Sequence, residues 1–279
     1  MNTTIETARK SYAEELRSLA HLSSPALIAA FATVPRERFV GPGPWRILGR
    51  DENWTTEDGD PRHVYHNVLI ALDETKGINN GQPSLWAHFL DQLGVCAGDH
   101  LLHLGCGTGY YTAILAEIVG PGGRITAVEI DNAIAERARV ALTPWRQVHV
   151  EHRDGASGPF EPADMIVVSA GATHPLPGWL AALKPGGRLL FPLTPDSGIG
   201  AMACLTRKRE KSFEAKLSFG VQFIPFSGAN DPEVSAQLSI ALRRDKGAPV
   251  RSLRCEAHKK EDTCWLHGEG WCFSTRGSA

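Results

Sequence analysis

Apolar positions along this chain recur with two periods, and the places where one gives way to the other mark out its elements. Ile5, Ala8, Tyr12, Leu16 and Leu19 fall near one side of a helical period, which predicts an amphipathic helix over residues 3–20. A second helix starts at Ser24-Pro25 and runs through Ala32, with Pro25 suited to its first turn. Gly41-Pro42-Gly43-Pro44 forces a rigid, irregular connection, and the polar, acidic stretch 51–60 reads as an exposed loop. Residues 64–72 are expected as a strand and 83–93 as a helix.

From residue 101 the pattern changes. The apolar run Leu101-Leu102-His103-Leu104 breaks into Gly105-Cys106-Gly107-Thr108-Gly109 and resumes at helical spacing from Tyr110 to Val119. Strands follow at 123–131, 147–150 and 164–169, and 183–192 reads as a helix end, a turn and a fifth strand. Segments 201–208 and 213–224 fit a final antiparallel pair, with Ser212 and its charged neighbours in the turn. A helix is expected over 232–243, and two short strands, 263–267 and 271–274, flank Gly268-Glu269-Gly270. The expected division is a helical cap and substrate-side segment (1–80), an α/β core (81–229) and a C-terminal appendage (230–279).

The glycine turn carries the first chemical signal. Glycine lets the backbone take unusual dihedrals and lets a ligand approach closely, and the helix that follows offers free N–H groups to an anion. A dinucleotide fingerprint would want its third glycine or alanine at position 110, where this chain has Tyr110. Glycines at 105, 107 and 109 instead resemble the loop of class I S-adenosylmethionine (AdoMet) methyltransferases. The second core strand ends in Glu129, whose carboxylate can accept ribose hydroxyls, with Ile130 beside it, and Asp154-Gly155 follows the third. The fold class expected is α/β, Rossmann-like, with a mostly parallel sheet, helices on both faces and an antiparallel final strand.

Composition changes this picture little. Lys+Arg 29 against Asp+Glu 31 gives a formal charge of −2, so nothing pulls the chain toward nucleic acid. The sequence lacks an apolar run of membrane-spanning length and a signal-peptide pattern, which makes a cytoplasmic protein without a membrane partner the expectation. Six cysteines do not suggest a disulfide scaffold. In the tail, Cys255-x2-His258 and Cys264-x2-His267 precede Cys272, a collection with the donor types of a zinc site. Alternation along a hairpin strand, however, points Cys264 and His267 to opposite faces, so no metal is expected.

Several of these segments, taken in order, resemble protein-L-isoaspartate O-methyltransferases. They are Val34-Pro35-Arg36-Glu37-Arg38-Phe39-Val40, Gly77-Ile78-Asn79-Asn80-Gly81-Gln82-Pro83, the glycine loop, Glu129, Arg153-Asp154-Gly155, 183–192 and Val221-Gln222-Phe223-Ile224-Pro225-Phe226. The resemblance covers roughly residues 34–228, and the tail is an addition to the family's minimal chain. It implies AdoMet as cofactor, held by Gln82, Gly105, Cys106, Gly107, Thr108, Gly109, Tyr110, Glu129, Ile130, Asp154 and Gly155. Asn79, Asn80, Gly81 and Gln82 would form the catalytic, acceptor-side turn. One departure stands out, because the family's serine before Gln-Pro is here Gly81, and its threonine two positions earlier is Asn79. Gly81 offers only a backbone N–H where the family has a hydroxyl.

The acceptor follows from resemblance and from chemistry. A carboxylate is already a nucleophile at neutral pH, whereas a hydroxyl or ammonium acceptor needs a base. His174, in a loop beside Pro175, is the one histidine weighed as a base, and it reads better as a polar surface residue; His103 reads as a packed core residue. His63, Tyr65, His66 and Asn67 line the acceptor side or form a polar strand over the core. The expected activity is methylation of a protein or peptide carboxylate. The alternatives are a small-molecule methyltransferase and a non-catalytic AdoMet-binding protein of the same fold.

Overall fold

The computed structural model describes residues 4–278. The chain forms α1 (Ile5–Ala20), α2 (Pro25–Thr33), α3 (Glu37–Val40), β1 (Arg46–Leu48), β2 (Trp54–Thr55), a 3-10 turn (Pro61–Val64), β3 (Leu69–Asp73), β4 (Ile78–Asn79) and α4 (Pro83–Leu93). Next come β5 (His100–Leu104), α5 (Tyr110–Val119), β6 (Arg124–Glu129), α6 (Asn132–Ala141), β7 (Val148–His152), β8 (Ala163–Val168), α7 (Pro177–Ala182) and β9 (Leu183–Leu193). The remainder is β10 (Gly200–Arg209), β11 (Ser212–Val221), α8 (Pro232–Asp245), β12 (Ser252–Arg254), β13 (Cys264–Gly268) and β14 (Trp271–Ser274). Two units emerge, one of Met1–Asp99 with Cys106–His152, the other of His100–Gly105 with Arg153–Ala279.

In the first unit, helix starts follow local capping. The Thr4 hydroxyl accepts from the Thr7 amide at 3.2 Å, and the Ser24 hydroxyl accepts from the Leu27 amide at 3.3 Å. Residue 3, where the first helix was expected to begin, lies outside the described residues. The inward stripe of α1 is Tyr12, Ala13, Leu16 and Ala20, while Ile5 and Leu19 face solvent, so the buried face is turned relative to the expected one. Strands β2, β1, β3 and β4 form an antiparallel sheet in that order, which places Trp54 and Thr55 of the expected loop in a short pairing with β1. Strands β6 and β7 run parallel, from Ile125 opposite Val148 to Glu129 opposite His152.

The strand expected over 64–72 forms only from Leu69, and Arg36 supplies the reason. Its fully buried guanidinium donates to the carbonyls of Val64 (2.7 Å), His66 (2.8 Å) and Val68 (2.6 Å). Carbonyls turned toward one cation are not free for a strand ladder. The guanidinium also lies over the rings of Tyr12 and Tyr110, at 5.6 and 5.7 Å from their centroids. The Arg36 amide donates to the Tyr65 hydroxyl at 3.2 Å, and that hydroxyl donates to Glu37.

The second unit is a sheet with strand order β13-β14-β12-β11-β10-β9-β8-β5. Strands β5, β8 and β9 are parallel; from β10 onward every pairing is antiparallel, so the expected final antiparallel strand opens a series. The turn expected inside 183–192 lies within β9, where Gly186 takes φ 78° and the register against β8 slips between Ala163 and Met165. Ser212 begins β11 instead of sitting in the turn. His103 is a core residue, its Nε2 at 2.8 Å from the Ser169 hydroxyl, and burial holds its pKa down at about 4. Cys264 and His267 do not alternate as expected. The register runs Cys264 opposite Ser274, Leu266 opposite Phe273 and His267 opposite Cys272, so Trp265 is an extra, bulged residue. One bulge between two positions three apart returns both to the same face.

Replacing Arg36 by Leu takes this donor from the buried Val64 carbonyl and the part-buried Val68 carbonyl, each costing about 1–3 kcal/mol when unpaired, while the His66 carbonyl still accepts from the Val68 amide. Urea unfolding of Arg36→Leu is expected to show a loss of at least about 2 kcal/mol. A loss below about 1 kcal/mol would mean that the 64–68 segment finds other partners.

Candidate functional site

The loop after Leu104 is built by backbone geometry and one carboxylate. Gly105, Gly107 and Gly109 all have left-handed φ values, 70°, 57° and 93°. At Gly107 a Cβ would meet nothing within 4 Å, so the chain itself leaves space against this turn. The Glu129 side chain, 8% exposed, accepts from the Gly107 amide at 2.9 Å through Oε2 and from the Asp131 amide at 3.0 Å through Oε1. Each carboxylate oxygen retains a further acceptor position. Asp131 in turn caps α6 by accepting from the Ile134 amide at 3.0 Å, and its carboxylate pairs with Lys76.

The other loop candidates differ in what they can offer. Burial, and after it the Glu129 charge, pushes the Cys106 thiol well above its ordinary pKa, so it is not a nucleophile. Thr108 is buried. The Tyr110 ring is packed between Phe39 and Phe31, with centroids at 5.7 and 6.4 Å, and its contribution to a ligand is limited to the backbone N–H of the first turn of α5. Ile130 is half exposed immediately after Glu129.

In the second unit a Cβ at Gly105 would lie 3.9 Å from the Phe226 ring, an ordinary contact. Asp154 closes a turn by accepting from the Ala156 amide at 2.8 Å. Gly155 lies under Phe226, and its carbonyl accepts from the Trp179 indole at 2.9 Å. His174 is stacked on Trp271, with centroids 5.7 Å apart and planes 6° apart, and its Nδ1 is 3.0 Å from the Thr173 hydroxyl. Burial lowers its pKa, with Asp231 opposing, and the ring serves packing.

Residues 79–82 form a turn with one internal hydrogen bond and several to neighbouring segments. The Gly81 N–H, expected to face an acceptor, donates to the Asn79 Oδ1 at 2.9 Å. Both Gln82 contacts from Nε2 go to Asn67, to its carbonyl and its Oδ1, each at 2.9 Å. Asn80 is 6% exposed; its Oδ1 accepts from the Ile70 amide at 2.9 Å, while its Nδ2 is buried without a hydrogen-bond partner among the described residues. Two residues read only as helix core also shape the turn. The Tyr111 hydroxyl donates to the Gly81 carbonyl at 3.0 Å, and a Cβ at Gly81 would lie 2.5 Å from the Trp86 indole nitrogen. Their apolar, helix-periodic positions carry no sequence signal of this role. Of the group 63–67, Asn67 reaches the turn directly, whereas the Tyr65 hydroxyl is engaged by Arg9, at 3.0 Å, and by Glu37.

Comparison with known proteins bears on this arrangement. A family model described as Protein-L-isoaspartate(D-aspartate) O-methyltransferase (PCMT) matches residues 50–231. Protein-L-isoaspartate O-methyltransferase 1 of Rhodopseudomonas palustris strain HaA2 is 30% identical over 253 residues, spanning 89% of this chain and 94% of its own. The Brucella anthropi Protein-L-isoaspartate O-methyltransferase is 29% identical over 78% of this chain and 94% of its own. A solved protein-L-isoaspartate O-methyltransferase superposes with TM-score 0.67 at 25% identity, covering 85% of this chain and 68% of that one. A beta-aspartate methyltransferase from Plasmodium falciparum, solved with S-adenosyl-L-homocysteine, superposes with TM-score 0.63 over 78% of this chain and 98% of that one. At 15% identity the latter likeness concerns the fold alone.

Restoring a hydroxyl at residue 81 is not a simple repair. Gly81 has φ 74°, and an added Cβ meets the Trp86 indole at 2.5 and 2.8 Å and Tyr111 at 3.1 Å. Overpacking of a filled core costs about 1–3 kcal/mol, and a left-handed non-glycine residue about 1–2 more. Gly81→Ser is therefore expected to lose roughly 2–5 kcal/mol in denaturant titration and to gain no methyl transfer. A variant as stable as the parent would show that the indole moves aside freely.

Proposed function

Because the chain belongs to the protein-L-isoaspartate(D-aspartate) O-methyltransferase family, we propose that it methylates a side-chain carboxylate of a protein or peptide, with residues 79–82 on the acceptor side and Glu129 at the cofactor ribose. It is an AdoMet-dependent methyltransferase, and AdoMet supplies an activated sulfonium methyl group when bound. The remaining contributions are alignment and electrostatics from the chain's own groups.

On the cofactor side, two features support the fit. Glu129 is a buried carboxylate with acceptor capacity left on both oxygens, and it fixes the Gly107 amide. The space beside Gly107 is free of protein. In this reading the first-turn N–H groups of α5 and the backbone of Gly105, Cys106, Gly107, Thr108 and Gly109 meet the carboxylate of AdoMet. Ile130 lies along the adenine, and Asp154 with Gly155 takes the adenine edge, an assignment that rests on their order in the sequence.

On the acceptor side, the observation that carries the reading is the Asn80 amide. It is the group in the 79–82 turn that keeps a buried donor with no partner among the described residues, and a carboxylate oxygen is the acceptor such a donor suits. No deprotonation is needed for a carboxylate nucleophile. Gln82 contributes by holding Asn67, and Asn79 by fixing the Gly81 amide. The functional division into cap (1–80), core (81–229) and appendage (230–279) belongs to the same proposal. So do a cytoplasmic location and a peptide in place of a nucleic-acid partner, supported by a formal charge of −2. Among the described residues no helix is long and apolar enough to cross a membrane.

The direct test is methyl transfer from labelled AdoMet to matched peptides carrying isoaspartate or normal aspartate. Selective labelling of the isoaspartyl peptide is expected, and Asn80→Asp, which keeps the acceptor for Ile70 but removes the donor, should slow it about 5- to 150-fold, the equivalent of 1–3 kcal/mol. Labelling of neither peptide while AdoMet binding persists would overturn the isoaspartyl assignment. Glu129→Ala should weaken AdoMet binding by about 1–3 kcal/mol in calorimetry; unchanged affinity would remove Glu129 from the cofactor site.

A further inference from the structure

The C-terminal appendage, beyond the matched family segment, brings together four residues that the transferase site does not use. One ligand atom from each of His258, Cys264, His267 and Cys272 lies within 4.8 Å of the other three. We propose that these four side chains form a structural zinc site of Cys2His2 type that staples the 255–263 loop onto the β13–β14 hairpin.

The backbone explains how the set forms. His267 and Cys272 are directly opposed across the hairpin. The bulge at Trp265 brings Cys264 to that same face, and Trp265 is held in the bulge by its indole, which donates to Asp245 at the end of α8 at 2.7 Å. The fourth donor comes from the loop, where His258 places Nε2 at 3.4 Å from the Cys264 sulfur. Zinc bonds of about 2.3 Å to sulfur and about 2.1 Å to nitrogen set tetrahedral ligand atoms roughly 3.4–3.8 Å apart. The observed spacing needs only a small contraction to reach that geometry.

Three further observations point to a metal. His258 directs Nδ1 to the Glu256 carbonyl at 2.8 Å, which leaves Nε2 for coordination, the usual outer-shell arrangement of a ligating histidine. The Glu261 amide donates to the Cys264 sulfur at 3.3 Å, the kind of bond that supports a thiolate. His267 Nδ1 is buried and without a hydrogen-bond partner among the described residues. Cys264 and Cys272 are free thiols, and Cys255, which the sequence spacing grouped with these donors, is outside the cluster. Four protein donors fill a tetrahedral zinc, leaving no open position for substrate, so the site is structural. On binding, two thiol protons pass to solvent and two thiolates join two neutral imidazoles around Zn2+.

The test is metal analysis of the full chain purified without chelator under anaerobic conditions with a phosphine reductant, then reconstitution with zinc or cobalt(II) alone. About one zinc per chain is expected, and the cobalt form should show thiolate charge-transfer and tetrahedral ligand-field bands. Cys264→Ser, Cys272→Ser and His267→Ala should lose stoichiometric metal, with AdoMet binding by calorimetry reporting whether the rest of the chain has folded. Cys255→Ser should retain it. Since the cobalt spectrum is read on the unsubstituted chain, misfolding of a variant does not obscure the answer. Zinc content below roughly a tenth per chain after reconstitution, no tetrahedral cobalt spectrum, or a Cys264–Cys272 disulfide in the reduced preparation would each overturn the proposal.

Discussion

The first unit is organised around a cation with no access to water. Arg36 is fully buried, and removing a guanidinium from solvent is expensive unless its donors are all met. Here three backbone carbonyls meet its two terminal nitrogens and two tyrosine rings flank it, while Nε is left without a hydrogen-bond partner among the described residues. Burial of the cation thereby fixes the path of residues 64–68, and with it Asn67, whose side chain holds Gln82 and the Ser84 amide at 2.9 Å. The same guanidinium bears on Tyr110, the first residue of the helix that follows the glycine loop. A single side chain thus ties the 79–82 turn and the start of α5 to one reference point.

Glu129 plays a comparable part for the loop. By accepting from Gly107 and Asp131 it sets the turn before any ligand arrives, so that binding need not order it. Asp131 carries the linkage outward to Lys76, in the turn between β3 and β4, two residues ahead of Ile78 and Asn79. An exposed pair of this kind contributes at most about 1 kcal/mol. Its value lies in bringing the segment before the 79–82 turn to Asp131, whose amide Glu129 holds.

What the sequence disclosed depended on how local the controlling physics was. Helices α4 and α5 begin and end where proline, glycine and apolar spacing place them, and the parallel strands β5, β6 and β8 announce themselves as β-branched or leucine-rich runs. The stretch 64–68 misled because its carbonyls answer to Arg36, some thirty residues away, a partner that period-counting does not see. Helix α6 went unread because its buried side is Ile134 with three alanines, Ala135, Ala138 and Ala141, a weak apolar signal. In the hairpin, one bulged residue inverted the facing of Cys264 relative to His267, and bulges leave no trace in alternation. At the 79–82 turn, the missing hydroxyl was plain from Gly81; the indole that fills its place was hidden in an ordinary core position, Trp86.

That indole also constrains how this chain can change. Residue 81 is held as glycine by the volume of its neighbour as well as by its own dihedral angles, so substitutions at 81 and 86 have an order. A side chain returns at 81 only after residue 86 has become smaller or turned away, while shrinking the fully buried Trp86 first leaves a void beside Tyr111. Each single step is uphill even where the pair would fit. The turn is therefore caught behind a steric ratchet, in which Gly81 and Trp86 each hold the other in place.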